Sequence, residues 1–142
     1  MKKIFLWQYR PSMHQNALVS VLKNKCDLTW IVEKNYLSAE RKSMGWNEGS
    51  LVPDLHLNNF EEMFDFLRKN KEVDCIHLFN GTRASKNLRQ IYIYLINNGA
   101  TVYFQSEASN YYGVKGILRI IRGFWEARSE RRKVAGVFAI GS

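Results

Sequence analysis

The chain reads as an α/β protein with a doubly wound, mostly parallel six-stranded sheet and helices on both faces. Three observations predict this. Short apolar runs rich in β-branched and aromatic residues recur along the whole length. They are nearly continuous in apolarity, as strands covered on both faces are. Segments with helical spacing lie between them, and such alternation joins parallel strands through right-handed crossovers.

Ile4–Trp7 is the first predicted strand. The opening Met1–Lys3 resembles the start of a signal peptide, but the apolar run ends at Gln8, too soon for a signal sequence. Ser12 and Gln15 form a capping box for a first helix with Ala17, Leu18, Val21 and Leu22 on one stripe. Leu28–Val32 is the second strand. The segment from Lys34 to Val52 is the one long irregular stretch, and loops of that length are often functional. Leu55–Leu57 follows Pro53 and reads as a short or edge strand. Asn59 and Glu62 cap a second helix, with Phe60, Met63, Phe64 and Leu67 at helical spacing. Cys75–Phe79 is the next strand. A third helix places Leu88, Ile91, Tyr92, Leu95 and Ile96 on one face and stops at Asn98–Gly99, where a left-handed residue belongs. Thr101–Phe104 is a strand. A basic fourth helix is predicted from Ile117 to Lys133, with Val114, Ile117, Leu118, Ile121, Phe124 and Trp125 on its apolar face. The last strand is Val137–Ile140.

Composition excludes several classes. A chain of 142 residues suits a single domain, and 46% hydrophobic with 13% aromatic residues is incompatible with disorder. The two cysteines, Cys26 and Cys75, are far apart and build neither a zinc site nor a disulfide framework, so reduced thiols in the cytosol are expected. No apolar stretch approaches the ~20 residues of a membrane span. The net charge of +8 is uneven: residues 114–133 hold seven Lys/Arg against two Glu, five of the eight. A basic surface attracts phosphate, whether of nucleic acid, nucleotide-sugar or anionic lipid. Tyr111, Tyr112 and Trp125 stand among these basic residues, yet no stacking platform separates from the apolar stripe, and nucleic acid is not an expected partner.

Ligands of doubly wound sheets bind beyond the carboxyl ends of the strands. Gln8–Arg10 follow the first strand, where the GxGxxG fingerprint is missing, so a nicotinamide or flavin enzyme is not expected. Walker, GxSxG and HExxH patterns are absent, so P-loop, hydrolase-elbow and zinc-protease readings fail and no cofactor is expected. Asn80–Arg83 open the next helix, whose N–H groups would meet an anion with Arg83 adding charge. The competing reading is a plain turn with Gly81 at the bend and Thr82 as N-cap. His14, in the first turn of the first helix, is either a contact to a substrate hydroxyl or phosphate or an exposed helix-start residue. His56 and His77 lie in apolar runs and read as packed strand residues. Glu107, at the mouth of a strand and followed by Ser109–Tyr112, is either a ligand for sugar hydroxyls or a loop cap.

Ser106–Ala108, the Gly113–Gly116 step, the basic helix and Val137–Ser142 together resemble the N-terminal half of GT-B glycosyltransferases of the retaining "group 1", family 4-like class. The similarity is greatest to those assembling bacterial capsular or surface polysaccharide. Arg41–Trp46 and Val52–Pro53 are also similar to stretches in such enzymes. The resemblance implies that residues 1–142 form the Rossmann-like acceptor-side domain, with the C-terminal nucleotide-sugar-binding domain absent from this chain. It implies a glycan or lipid-linked acceptor, a nucleotide-sugar donor held mainly by the missing domain, and a cytoplasmic location with peripheral contact at an anionic inner membrane face. Glu40 and Glu48 share the seven-residue spacing of the family's paired glutamates but fall in the loop after the second strand, and nothing is carried over to them. Arg10–Ser12 replace the glycine-rich loop common after the family's first strand. The resemblance implies that no metal is needed, and no DxD pattern occurs in the chain. The expected acceptor cleft is lined by Arg10, His14, Asn80, Gly81, Arg83 and Glu107, with no catalytic residue assigned. A non-catalytic Rossmann-like module binding a phosphate-bearing ligand or a protein partner is the alternative.

Overall fold

The computed structural model describes residues 2–34, 39–45, 47, 52–71, 74–107, 130 and 132–140. The elements are β1 (Ile4–Gln8), α1 (Met13–Lys23), β2 (Leu28–Val32), α2 (Ala39–Ser43), β3 (Leu55–His56), α3 (Phe60–Lys69), β4 (Ile76–Asn80), α4 (Lys86–Asn97), β5 (Thr101–Glu107) and β6 (Gly136–Ile140). The strands form one sheet in the order β3-β2-β1-β4-β5-β6, and every adjacent pair is parallel. The fold is therefore a doubly wound, Rossmann-like α/β sheet.

Strand alternation divides the core between the two faces. Phe5, Trp7, Ile31, Phe79 and Val102 pack against Met63 and Leu67 of α3 and Leu88, Ile91 and Leu95 of α4. Leu6, Trp30 and Val32 pack against Val19 and Leu22 of α1 on the other face. The α3/α4 side is heavily aromatic. Trp7 stacks on Phe79 with ring centroids 5.8 Å apart, and Phe79 meets Tyr92 edge-on at 5.6 Å. The buried Trp7 Nε1–H donates to His77 Nδ1 at 3.2 Å, which satisfies a donor that would otherwise be costly inside the core. His77 is thus a packed strand residue, as its apolar setting predicts. His56 lies instead on the exposed edge strand, where its Nε2 donates to the Glu33 carbonyl at 2.9 Å.

Helix ends follow the residues that cap them. Ser12 Oγ accepts from the Gln15 N–H, and Asn59 Oδ1 accepts from the Glu62 N–H at 2.9 Å while Asn59 Nδ2 donates to Glu62 Oε1. All five predicted core residues of α4 are buried, and Gly99 supplies the left-handed stop at φ +73. The register of α1 differs from expectation. Gln15 and Val19 face the sheet with Leu22 half-buried, while Ala17, Leu18 and Val21 are exposed. The Ser12 cap fixes where the helix begins, and the entry from β1 then turns a mixed polar and apolar face inward.

Two polar ties fasten the sheet margins. Asp54, just before the two-residue edge strand β3, accepts from the Trp30 N–H at 2.8 Å and pairs with Lys23 Nζ at 2.5 Å. Glu130 receives the Arg89 guanidinium as a two-pronged pair, and Lys133 Nζ donates to Asn97 Oδ1 at 2.7 Å, so both ends of α4 hold the approach to β6. The predicted helix of residues 117–133 otherwise lies outside the described residues. Both cysteines are free thiols, Cys75 buried and Cys26 half-buried. No helix among the described residues is long and apolar enough to cross a membrane.

Candidate functional site

The strand order reverses between β1 and β4. The chain leaves β1 toward β2 on one side and leaves β4 toward β5 on the other, and this divergence opens the crevice where doubly wound sheets take ligands. Gln8 and Asn80, the last residues of the two strands, are register partners, and Asn80 is partnered in turn by Gln105 of β5. Parallel register puts these three amides in one row on the α1 side of the sheet. Gln8 Oε1 accepts from Trp30 Nε1 at 3.0 Å, which fixes one end of the row. The Gln105 side chain is 4% exposed and neither of its amide atoms has a hydrogen-bond partner; Oε1 of the buried Gln15, in the first turn of α1, is likewise unpartnered. Such groups ordinarily cost about 1–3 kcal/mol each, so the rim is not optimised for stability alone.

The turns that follow β1 and β4 carry the charge. Arg10 lies two residues past β1, half-buried, with its guanidinium carbon 5.1 Å from the Tyr9 ring centroid. Gly81 bends the chain after β4 at φ +75, a conformation that favours glycine, and Arg83 is exposed in the turn it begins. Arg10, Asn80, Gly81 and Arg83 are therefore grouped around one switch point. His14 is exposed on the first turn of α1, and Glu107 ends β5 two positions beyond Gln105, in register with Ile140. These two sit at the margins of the group. Ser109–Tyr112 lie outside the described residues.

The helix after β4 does not begin at Asn80–Arg83. It begins at Lys86 with Ser85 as N-cap, whose Oγ accepts from the Leu88 N–H at 3.1 Å. A carboxylate of the protein itself already stands at that helix end. Glu33, directly after β2 and 5% exposed, receives the Ser85 hydroxyl and, at 3.2 Å, the Asn87 side-chain amide. Its backbone N–H donates to the Gln8 carbonyl at 3.1 Å. A negative group is stabilised there by the helix dipole and two donors. The helix terminus is thus engaged internally by a carboxylate of the chain.

Glu33 and Gln105 are rim residues that were not singled out in the sequence, and Gln15 was read there only as a capping residue. A signal for Glu33 existed: an acidic residue directly after the second strand of a doubly wound sheet sits at the carboxyl rim. Ser85, three residues before the first apolar position of α4, was legible as a cap on the same grounds. Nothing in the local sequence marks Gln105, because its burial depends on its neighbours in the sheet. Among the described residues no group of three or more His, Cys, Asp or Glu is placed to hold a metal ion. No family model, curated protein or solved structure matches the chain.

Proposed function

We propose that this domain is the acceptor-side half of a glycosyltransferase, binding a glycan or lipid-linked saccharide at the β1/β4 switch point while a nucleotide-sugar is presented from a facing domain. The observation that carries the reading is the rim itself: a row of three neutral amides, Gln8, Asn80 and Gln105, with Arg10 and Arg83 in the turns that follow its first two strands. Amides donate and accept at once, which suits hydroxyl groups, and the arginines suit a phosphate linking the sugar to a carrier. Glu107 and His14 are the candidates for outer hydroxyls of a longer acceptor. Transfer itself needs the donor held opposite, because a single wall does not orient two substrates.

The test is a pair of measurements on the 142-residue chain. Octyl glycosyl phosphates, in which a phosphate joins the sugar to the alkyl chain, are expected to bind, with affinity reduced by Arg83→Ala, and radiolabelled UDP-sugars are expected to yield no transferred product. Sugar transfer by this chain alone, or glycosyl phosphate binding indifferent to Arg10→Ala and Arg83→Ala together, would contradict the reading.

A further inference from the structure

The opposite end of the sheet carries a second charged feature. Lys2 and Lys3 precede β1, Lys69 ends α3, and Lys71 follows its C-cap Asn70. With Asn70, Asp74 and Cys75 these lysines line an open groove of about 560 Å³. Its walls are fixed by backbone hydrogen bonds: Ile76 N–H to the Lys3 carbonyl at 2.9 Å, Asn70 N–H to Leu67 at 3.0 Å, and Asp74 N–H to Lys71 at 3.0 Å. The Asn70 side chain donates to the Phe66 carbonyl at 2.8 Å.

Four lysines and one aspartate line the groove, and among the described residues none of the four lysines forms an ion pair. Cations at a helix C-terminus offset the macrodipole, which accounts for Arg68 and Lys69 in the last turn of α3. It does not account for Lys2 and Lys3, which arrive from the other side of the groove. Lys71 adds a second anomaly. Its φ of 50 makes it the one non-glycine residue with positive φ among the described residues, at a position where glycine is the usual choice.

We propose that this groove binds a ligand bearing two or more linked phosphate groups, through Lys2, Lys3, Lys69 and Lys71. Ammonium groups are compact point charges suited to phosphate oxygens. Four lysines around one groove supply more positive charge than a single phosphate balances, which favours a clustered polyanion. The site is remote from the β1/β4 rim and does not rest on the transferase reading.

Inorganic pyrophosphate and orthophosphate are the probes, titrated calorimetrically into the full chain at low and physiological salt. Lys69→Gln with Lys71→Asn is the groove variant, asparagine being tolerant of left-handed backbone, and Arg10→Ala with Arg83→Ala is the rim variant. Pyrophosphate is expected to bind at least about tenfold more tightly than orthophosphate, with a similar loss in the groove variant and none in the rim variant. Urea unfolding of both variants verifies that each is folded. Co-sedimentation with phosphatidylcholine vesicles, with and without phosphatidylinositol bisphosphate, separates a lipid headgroup from a soluble source. Pyrophosphate binding that survives in the groove variant, binding lost only in the rim variant, or binding to neither probe nor vesicle overturns the proposal.

Discussion

The Ser85 hydroxyl donates to the buried carboxylate of Glu33, joining the end of β2 to the first turn of α4 across the top of β1. The same oxygen accepts the Leu88 N–H as the helix cap. One side chain thus closes a helix and holds a charge at the rim. Ser85→Ala removes both bonds and leaves Glu33 with the Asn87 donor alone. It is expected to destabilise the fold by about 2–3 kcal/mol, combining a lost cap with an undersatisfied buried acceptor. Glu33→Gln, which keeps the shape, is expected to cost less. Urea midpoints at pH 7 compare the two.

Tyr92 gives a prediction with a definite pH window. Burial, then the neighbouring Glu130 carboxylate and its hydrogen bond, push the phenol from 10.0 up to about 12, with Arg89 pulling the other way. Between pH 10 and 12 the unfolded chain loses this proton while the folded one keeps it. The stabilisation from this group is complete below the unfolded value and lost as pH rises through the folded one. Tyr92→Phe is expected to flatten the fall in stability over that window relative to wild type. Urea unfolding at pH 9 and pH 11 measures the difference, and parallel slopes would sink it.

Gly99 isolates a backbone effect. A Cβ placed there meets no atom within 4 Å, so only the left-handed conformation opposes substitution. Gly99→Ala is expected to cost about 1–2 kcal/mol and Gly99→Asn distinctly less. Equal costs would show that something other than φ governs the position.

Asp54 separates two contacts by one carboxylate. Asp54→Asn is expected to keep an acceptor for the Trp30 N–H and lose the Lys23 pair, costing about 0.2–1 kcal/mol because that pair is partly solvated. Asp54→Ala loses both and is expected to cost roughly 1 kcal/mol more. Chemical unfolding of the two variants, with Lys23→Gln as a third, completes the comparison.

The sheet was legible because its strands are apolar runs whose length and spacing leave little choice, down to β3 as a short edge after Pro53. The α3 and α4 faces were equally readable, since Met63, Leu67, Leu88, Ile91 and Leu95 recur at helical spacing. The inward face of α1 was not: the apolar stripe of Ala17, Leu18 and Val21 is the outer one, while Gln15 turns inward with Val19. Local hydrophobicity does not report the angle at which a capped helix meets its sheet. At the rim, Arg10, Asn80, Gly81 and Arg83 could be picked out because position after a strand is a local property. Glu33 and Gln105 act through partners 52 residues away or on a neighbouring strand, and such pairings exist only once the chain is folded.

Ligand binding in the crevice between β1 and β4 is open to amide NMR of the 142-residue chain, titrated with octyl glycosides and separately with UDP-glucose. The glycosides are expected to move the Gln8–Arg10 and Asn80–Arg83 resonances most, with the Gln105 side-chain amide among them, and UDP-glucose to move these far less. Shifts confined to other surfaces, or a rim that responds only to the nucleotide-sugar, would contradict binding at this crevice.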